Sequence, residues 1–546
     1  MMLKRNYFFY PLLLSLLVHF SVFAQTAKIP IKILDVGQLK AVKAREKKGR
    51  FDAIGEIIET HDDVLQEAII SEKGGFVLFQ LAYHASDVKG INFYFEKVAL
   101  PNGSTFFLKG NYRGQTLQLP LNSKNNLDKL ATGFIYGDYA ELHISVPADQ
   151  LDQAVVLLEG IGLTNKRILP TDARKDFGDA ASCNINIGCE EGTLWQEVGQ
   201  SVVRILVRNE NLVGWCTGVL VNNTAEDFTP YILTAQHCGL NEFTGNLVAK
   251  SNFDQWVFYF NYEVNGCVGS FLEFDLPRNI MAGADLIAHS DDQGGDFGSD
   301  FLLLKLQNDI PSSFNPVFAG WSSQELNAAA GVAIHHPQGD VKKISTYNTS
   351  VESSQFSSEG SVRNTHWKVF WAETDNGFGI TEAGSSGAPL FNNAGQIIGN
   401  LTGGLASCTR PDGFDLFGKL SYHWFSNGED LEQQLAPWLD PLGLDVFAWR
   451  SIDYSGKLVT DTDDEITSST FEIYPNPSQG KFSVIVPTKL YNTSLTLNIY
   501  DKLGRTVHRE SIDADERINL THLQKGLYFL TISNAENVYR QKIVIE

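Results

Sequence analysis

Alternation with period two restricts this chain more than any other feature. "GFVLFQLAYHA", "INFYFEKVAL" and "AELHISVPA" place an apolar residue at nearly every second position, and Gly, Asn or Pro ends each run. Short strands separated by turn residues continue through "SVVRILVR", "CTGVLVNN", "YILTAQHC", "WVFYFNYEV", "SDFLLLKL", "GVAIHHP", "APLFNN" and "QIIGNLTGG". A chain of this pattern packs sheet on sheet, as sandwiches or barrels. Two stretches depart from it: the charged "LKAVKAREKKGRFDAIGEIIE" has a helical look, and "DLEQQLAPWLDPLG" is expected to form an amphipathic helix. At 546 residues the chain exceeds one hydrophobic core, and about three folded units are expected.

The six cysteines, Cys183, Cys189, Cys216, Cys238, Cys267 and Cys408, all fall in the middle of the chain. At the start, "MMLKRNYFFYPLLLSLLVHFSVFAQT" has Lys4 and Arg5, then an apolar run, then Val22-Phe23-Ala24, the pattern of a signal peptide cut after Ala24. An exported chain with an even cysteine count is expected to hold three disulfides, and spacing alone leaves about fifteen pairings open. There is no C-x-x-C or H-E-x-x-H, so no metal is expected, and "IHHP" is expected to be structural. The formal charge, 43 − 64 = −21, argues against a nucleic-acid partner.

The expected organisation is a signal peptide at 1–24, a β-rich propeptide at 25–178, and a disulfide-bearing all-β domain at 179–452. A linker at 453–470 and a small C-terminal β-sandwich at 471–546 complete it. The polar, basic "NKRILPTDARKDFGDAAS" near the first boundary is expected to be an exposed linker.

"GITEAGSSGAPLF" poses the chemical question. A serine hydroxyl needs a base to take its proton and a carboxylate to fix that base's tautomer. The middle region supplies His237, in "YILTAQHCG" after an apolar strand, and Asp300, ahead of "FLLLKL". The nucleophile-elbow pattern G-x-S-x-G fails, because Ala388 stands at its last position.

"CTGVLVNNT…YILTAQHCG", "SDFLLLKL" and "GSSGAP", in that order, resemble the trypsin-like serine proteases. More narrowly they resemble the bacterial lysyl endopeptidases, over roughly residues 181–425. The resemblance implies a mainly β protein with a chymotrypsin-like double β-barrel. It implies His237 as general base, Asp300 as its orienting carboxylate and Ser386 as nucleophile, with the amides of Gly384 and Ser386 as oxyanion hole. The implied disulfides are Cys183–Cys408, Cys189–Cys267 and Cys216–Cys238. Asp415, in "GFDLFGKL", is expected at the base of a pocket for a lysine side chain, and Thr402, Gly403 and Gly404 on the strand edge that pairs with substrate.

Two departures from the lysyl endopeptidases stand out. Their His at the position of Thr402 is missing, and so is the Trp that stacks there, for which Phe356 is the candidate. Ser385 stands where trypsin-like zymogens carry Asp, so a terminal ammonium–carboxylate switch is excluded, and Lys175 in "DARKDF" is a candidate self-processing site. "YPNPSQGKF", "IYDKLGR" and "KGLYFLTI" resemble the type IX secretion sorting domain, which implies contact with that export machinery and a secreted or surface-attached product. The expectation is thus a serine endopeptidase acting on proteins or peptides after basic residues, a monomer without cofactor. The competing reading is a catalytically inactive, protease-like binding or adhesive protein.

Overall fold

The computed structural model describes residues 28–36, 52–119, 126–166, 179–241, 243–264, 266–267, 279–356, 362–459, 472–485, 495–500, 506–512, 517–533 and 538–545. The expected signal peptide, Lys175 and most of the expected 453–470 linker lie outside these residues.

The N-terminal unit is β-rich, as its alternation requires. Phe76–His84, Tyr139–Pro147 and Thr105–Gly110 form one antiparallel layer. β1 (Ala53–Asp63), β2 (Val155–Thr164) and Gly90–Ala99 form a second. Between them Leu81, Tyr83, Phe93, Phe106, Leu142 and Ile161 are buried as one core. Of the stretch expected to be helical, residues 39–51 lie outside the described residues, and Ala53–Glu59 instead form the first part of β1. Its Ile residues are β-branched, and its backbone has partners on both sides, β2 on one edge and the middle unit on the other, which outweigh local propensity.

The middle unit folds as two β-barrels. In the first, β3 (Val202–Asn209), β4 (Leu212–Val221), β5 (Tyr231–Thr234) and β6 (Leu302–Leu306) run antiparallel. Every residue of β4 is buried, so it reads as a continuous apolar run. The second barrel uses β7 (Gly331–His335), β8 (Lys343–Tyr347), β9 (His366–Phe370), β10 (Pro389–Asn392), β11 (Ile397–Gly404) and β12 (Phe414–Lys419). Their sheet order is β8-β7-β10-β11-β12-β9. Leu233, Phe301, Trp321, Ile334, Ile397 and Trp424 fill the seam between the barrels. This is the chymotrypsin-like double barrel, and the site residues converge along the seam.

The expected amphipathic helix over 430–443 is reduced to a 3-10 turn at Leu431–Gln433 and one helical turn at Ala436–Leu439. Pro437 lacks the amide that a continuous helix would need. Beyond it, Ile452–Asp453 pairs with Val317–Phe318 and Val459 donates to the Ser451 carbonyl, so 453–459, expected in the linker, packs on the barrel. The C-terminal unit comprises a three-stranded and a four-stranded sheet around Val484, Leu497, Leu530 and Ile532.

Three disulfides, Cys183–Cys408, Cys189–Cys267 and Cys216–Cys238, tie the middle unit internally. These are the pairings that the resemblance implies.

Candidate active site

β5 ends at Thr234, and the chain tightens into a short turn, Gln236–Gly239, that carries His237. The Cys216–Cys238 bond fastens that turn to β4. Asp300 enters from the loop ahead of β6, fully buried, with a left-handed backbone (φ 60°). It grips His237 twice. The His237 backbone amide donates to Oδ1 at 2.9 Å, and ring Nδ1–H donates to Oδ2 at 2.7 Å. That second bond fixes the tautomer and leaves Nε2 as the ring's proton acceptor.

Asp300 is itself held from behind. Its amide donates to Asp292 Oδ2 at 2.6 Å, and Asp292 Oδ1 accepts the amides of Gly294 and Gly295. Burial, and secondarily the Asp300 charge, push the Asp292 carboxyl up to about 6. The Asp300 carbonyl accepts Asn400 Nδ2; Asn400 Oδ1 accepts His423 Nε2, and Ser299 Oγ donates to His423 Nδ1. Asp292, Asn400 and His423 have no distinguishing pattern in the sequence. Only the fold shows that they brace Asp300.

The Ser386 turn lies against the same strands. The Thr217 amide of β4 donates to the Ser386 carbonyl at 2.8 Å, Thr217 Oγ1 donates to the Gly384 carbonyl at 2.9 Å, and the Gly387 amide donates to Leu401 of β11 at 2.8 Å. Gly384 has φ 90°, and a Cβ there would come within 2.9 Å of the Gly339 amide and the His336 carbonyl, so only glycine fits. Among the described residues no hydrogen bond joins Ser386 Oγ to His237 Nε2, a looseness common in unliganded sites. Ser385 turns the other way, into the second barrel. It is fully buried, with Oγ 2.8 Å from His335 Nδ1, and His335 Nε2 lies 3.0 Å from Ser345 Oγ. Burial holds His335 near 3, so this network is neutral. "IHHP" is therefore structural at His335, as expected.

Asp415, on β12, is almost wholly buried. Its Oδ2 accepts three bonds: Trp371 Nε1–H at 2.7 Å, Thr381 Oγ1–H at 2.7 Å and the Thr381 amide at 3.3 Å. Among the described residues its Oδ1 accepts only the Ala406 amide, at 3.3 Å. Burial pushes the carboxyl above its ordinary value, and these donors pull against that. A Cβ at Gly404 would sit 1.9 Å from Oδ1, so the strand edge needs glycine beside this carboxylate. Gly404 and Asp415 are paired across β11 and β12. A groove of about 430 Å³ with Phe356, Gly404, Leu405 and Phe414 in its wall opens beside them.

Thr402 does not stand alone. His366 of β9 reaches it, with Nε2 3.0 Å from Thr402 Oγ1, and the Phe356 ring stacks on the His366 ring at 5.8 Å. Burial holds His366 near 4, so it is a neutral ring. The structure thus puts an aromatic–imidazole pair beside Thr402, with Phe356, the candidate for the stacking ring, on an imidazole that comes from β9 instead of from the position of Thr402.

Residues 177–418 match the family model described as lysyl endopeptidase, C-terminal domain, and residues 472–546 match secretion system C-terminal sorting domain. A curated relative, the lysyl endopeptidase of Pseudomonas aeruginosa, is 27% identical over 248 residues, which are 44% of this chain and 48% of that protein. The chain thus spans about half the length of that relative. Among solved structures, the thermostable serine protease AL20 from an extremophilic microorganism aligns at TM-score 0.29 and 13% identity, over 40% of this chain and 91% of that one. Rv3671c from M. tuberculosis in its inactive form aligns at TM-score 0.27 and 16% identity, over 47% and 93%. The chain resembles the bacterial lysyl endopeptidases through residues 177–418 and carries, at 472–546, a match to the secretion sorting domain.

Proposed function

We propose that this protein is a secreted serine endopeptidase that cuts peptide bonds after lysine. One observation carries the reading: a buried carboxylate, Asp300, that holds both the backbone amide and the Nδ1–H of His237, beside the turn that carries Ser386. His237 Nε2 takes the proton of Ser386 as Oγ attacks the scissile carbonyl, and Asp300 stabilises the imidazolium. The amides of Gly384 and Ser386 meet the developing oxyanion, a contact whose loss typically costs about 10²–10³ in rate. His237 then gives its proton to the leaving amine, and water repeats the cycle on the acyl-enzyme. No cofactor enters the reaction.

Lysine preference is supported by the state of Asp415. Trp371 and Thr381 crowd Oδ2, which leaves Oδ1 as the better acceptor for substrate. A single acceptor suits an ammonium, a point donor, and wastes half of a guanidinium's fork. Thr402, Gly403 and Gly404 offer the edge for substrate backbone.

The Asp-dependent switch of trypsin-like zymogens has no counterpart in this reading, since Ser385 is bound within the barrel. The Ala181 amide and Asn184 Nδ2 already reach Glu382 Oε2, at 2.8 and 2.7 Å, within the intact chain. Residues 25–178 act as a propeptide that self-processing at Lys175 severs from the barrels, and residues 471–546 direct export by the type IX machinery to the outside or the cell surface. The mature protein is a monomer.

The test is digestion of an unstructured protein followed by mass analysis of the cut sites. Cuts after Lys support the assignment, and cuts spread over apolar residues refute the role of Asp415. Failure of a fluorophosphonate to label Ser386 would favour the inactive binding protein instead.

A further inference from the structure

β4 has three neighbours in a row along the edge that faces away from β3. Ala53–Glu56 of β1 pair with Leu212–Gly214. The Ser386 carbonyl takes the Thr217 amide. β5 pairs with Val219–Val221. The nucleophile turn therefore sits in the gap between β1 and β5, and only Trp215 and Cys216 separate Thr217 from the end of β1. At about 3.3 Å per residue, the three steps from Thr217 to Gly214 span roughly 10 Å. The other side of the turn rests on β11 through the Gly387–Leu401 bond. A substrate lying along β11 and crossing Ser386 must leave toward β4, where β1 already holds the edge.

The contact that holds β1 there is built like a domain core. Ile54, Ile57, Tyr94, Phe134 and Tyr136 of the N-terminal unit share one buried cluster with Leu206, Val213, Trp215, Val257, Tyr259 and Tyr262 of the barrel. Arg204 is buried under it, 4.2 Å from the Trp215 ring and 3.5 Å from the Tyr262 ring. Polar bonds cross the same boundary: the Phe134 amide to Tyr259 Oη at 3.0 Å, Gln255 Nε2 to the Phe95 carbonyl at 3.0 Å, and Arg208 to Glu159 at 3.0 Å. No disulfide crosses it, since all six cysteines pair within the middle unit. Departure of residues 28–166 would expose this cluster of apolar rings, which is costly in water.

We propose that the N-terminal unit stays seated after the chain is cut between 167 and 178, and that while seated it closes the leaving-group side of the cleft. Short leaving groups fit in the gap at Trp215 and Cys216, whereas peptides extended beyond about three residues on that side meet β1. The second half rests on the endopeptidase reading above; the first does not.

The experiment uses the full chain with a recognition site for a site-specific viral protease inserted between 167 and 178. In a Ser386→Ala background the nicked protein is passed through gel filtration at micromolar concentration. Co-elution of both fragments is expected, and their separation overturns retention. In the Ser386 background, a lysine p-nitroanilide and a peptide with six residues after its lysine are compared, with and without Ile57→Asp, which opens the shared cluster, or Glu159→Gln, which breaks the cross-boundary ion pair. The nicked parent should cut the anilide at the rate of the variants and the extended peptide at least 10-fold more slowly. Equal rates on both substrates overturn the closure. No cleavage of either substrate by any form refutes the endopeptidase reading and leaves the gel-filtration result to decide retention.

Discussion

Trp371→Phe is the most informative perturbation of specificity. Phenylalanine keeps most of the ring volume and its edge-on contact with Phe417, 6.0 Å away, but removes the indole N–H that donates to Asp415 Oδ2 at 2.7 Å. A hydrogen bond to a charged group contributes about 1.5–3 kcal/mol, and each 1.36 kcal/mol is about tenfold in rate. Two consequences are expected. First, kcat/KM for a lysine substrate falls roughly 10- to 150-fold, by the same arithmetic, because the carboxylate loses a donor that stabilises and aims it. Second, Oδ2 drops from three donors to the two of Thr381, and a guanidinium can take the vacated place, so arginine loses less and the Lys:Arg ratio narrows by about tenfold, the value of one such bond at its weak end. The pH profile adds a signed check. Burial already raises the Asp415 carboxyl, and loss of the Trp371 bond raises it further, so the acid limb for lysine substrates moves to higher pH. Paired Lys and Arg anilides, assayed across pH with the melting temperature as a folding control, provide the measurement. An unchanged Lys:Arg ratio together with an unmoved acid limb would refute the single-acceptor argument.

Asp300→Asn places an amide against His237 Nδ1 and should lower kcat by about 10⁴ with KM little changed, measured by steady-state kinetics. Ser386→Ala should abolish both turnover and fluorophosphonate labelling. Replacing Cys216 and Cys238 with serine opens a loop of sequence separation 22 and should cost about 3 kcal/mol in denaturant unfolding. Arg208 and Lys129 hold Glu159 at about 2, below its ordinary 4.5, so its contribution to seating the N-terminal unit is present above 4.5 and is lost as pH falls toward 2; fluorescence-monitored acid titration should show that loss in the parent and not in Glu159→Gln. Deletion of residues 471–546 should retain the protein in cells that normally export it, and normal export would refute the sorting role.

The strands were legible because alternation is a local property, and the histidine and serine turns because each sits at the end of an apolar strand within a motif that carries the protease resemblance. Asp300 needed the order of the other two motifs as well as its own place ahead of β6. Trp371, Thr381 and His366 were not legible as site residues. They reach Asp415 or Thr402 from separate segments, and nothing in "HWKVFW" distinguishes a hydrogen-bonded indole from a packed one. β1 was misread as helical because its first half pairs with strands more than 90 residues away, from Leu157–Thr164 onward, which no local window contains.

The shared strand also sets an order of assembly. The N-terminal unit has a core of its own, drawn from residues 64–163, and it precedes the barrels in the chain. Once formed, it leaves the Ala53–Glu56 edge of β1 to be met by another strand. β4 is the strand that meets that row, and it is also the one that anchors the Ser386 turn and the Cys216 sulfur. The expected order is therefore the N-terminal unit first and then the first barrel on the edge of β1, beginning at the strand that the chemistry depends on. A barrel asked to fold without it must find the non-local pairing of β4 unaided, the slow and aggregation-exposed route for β structure.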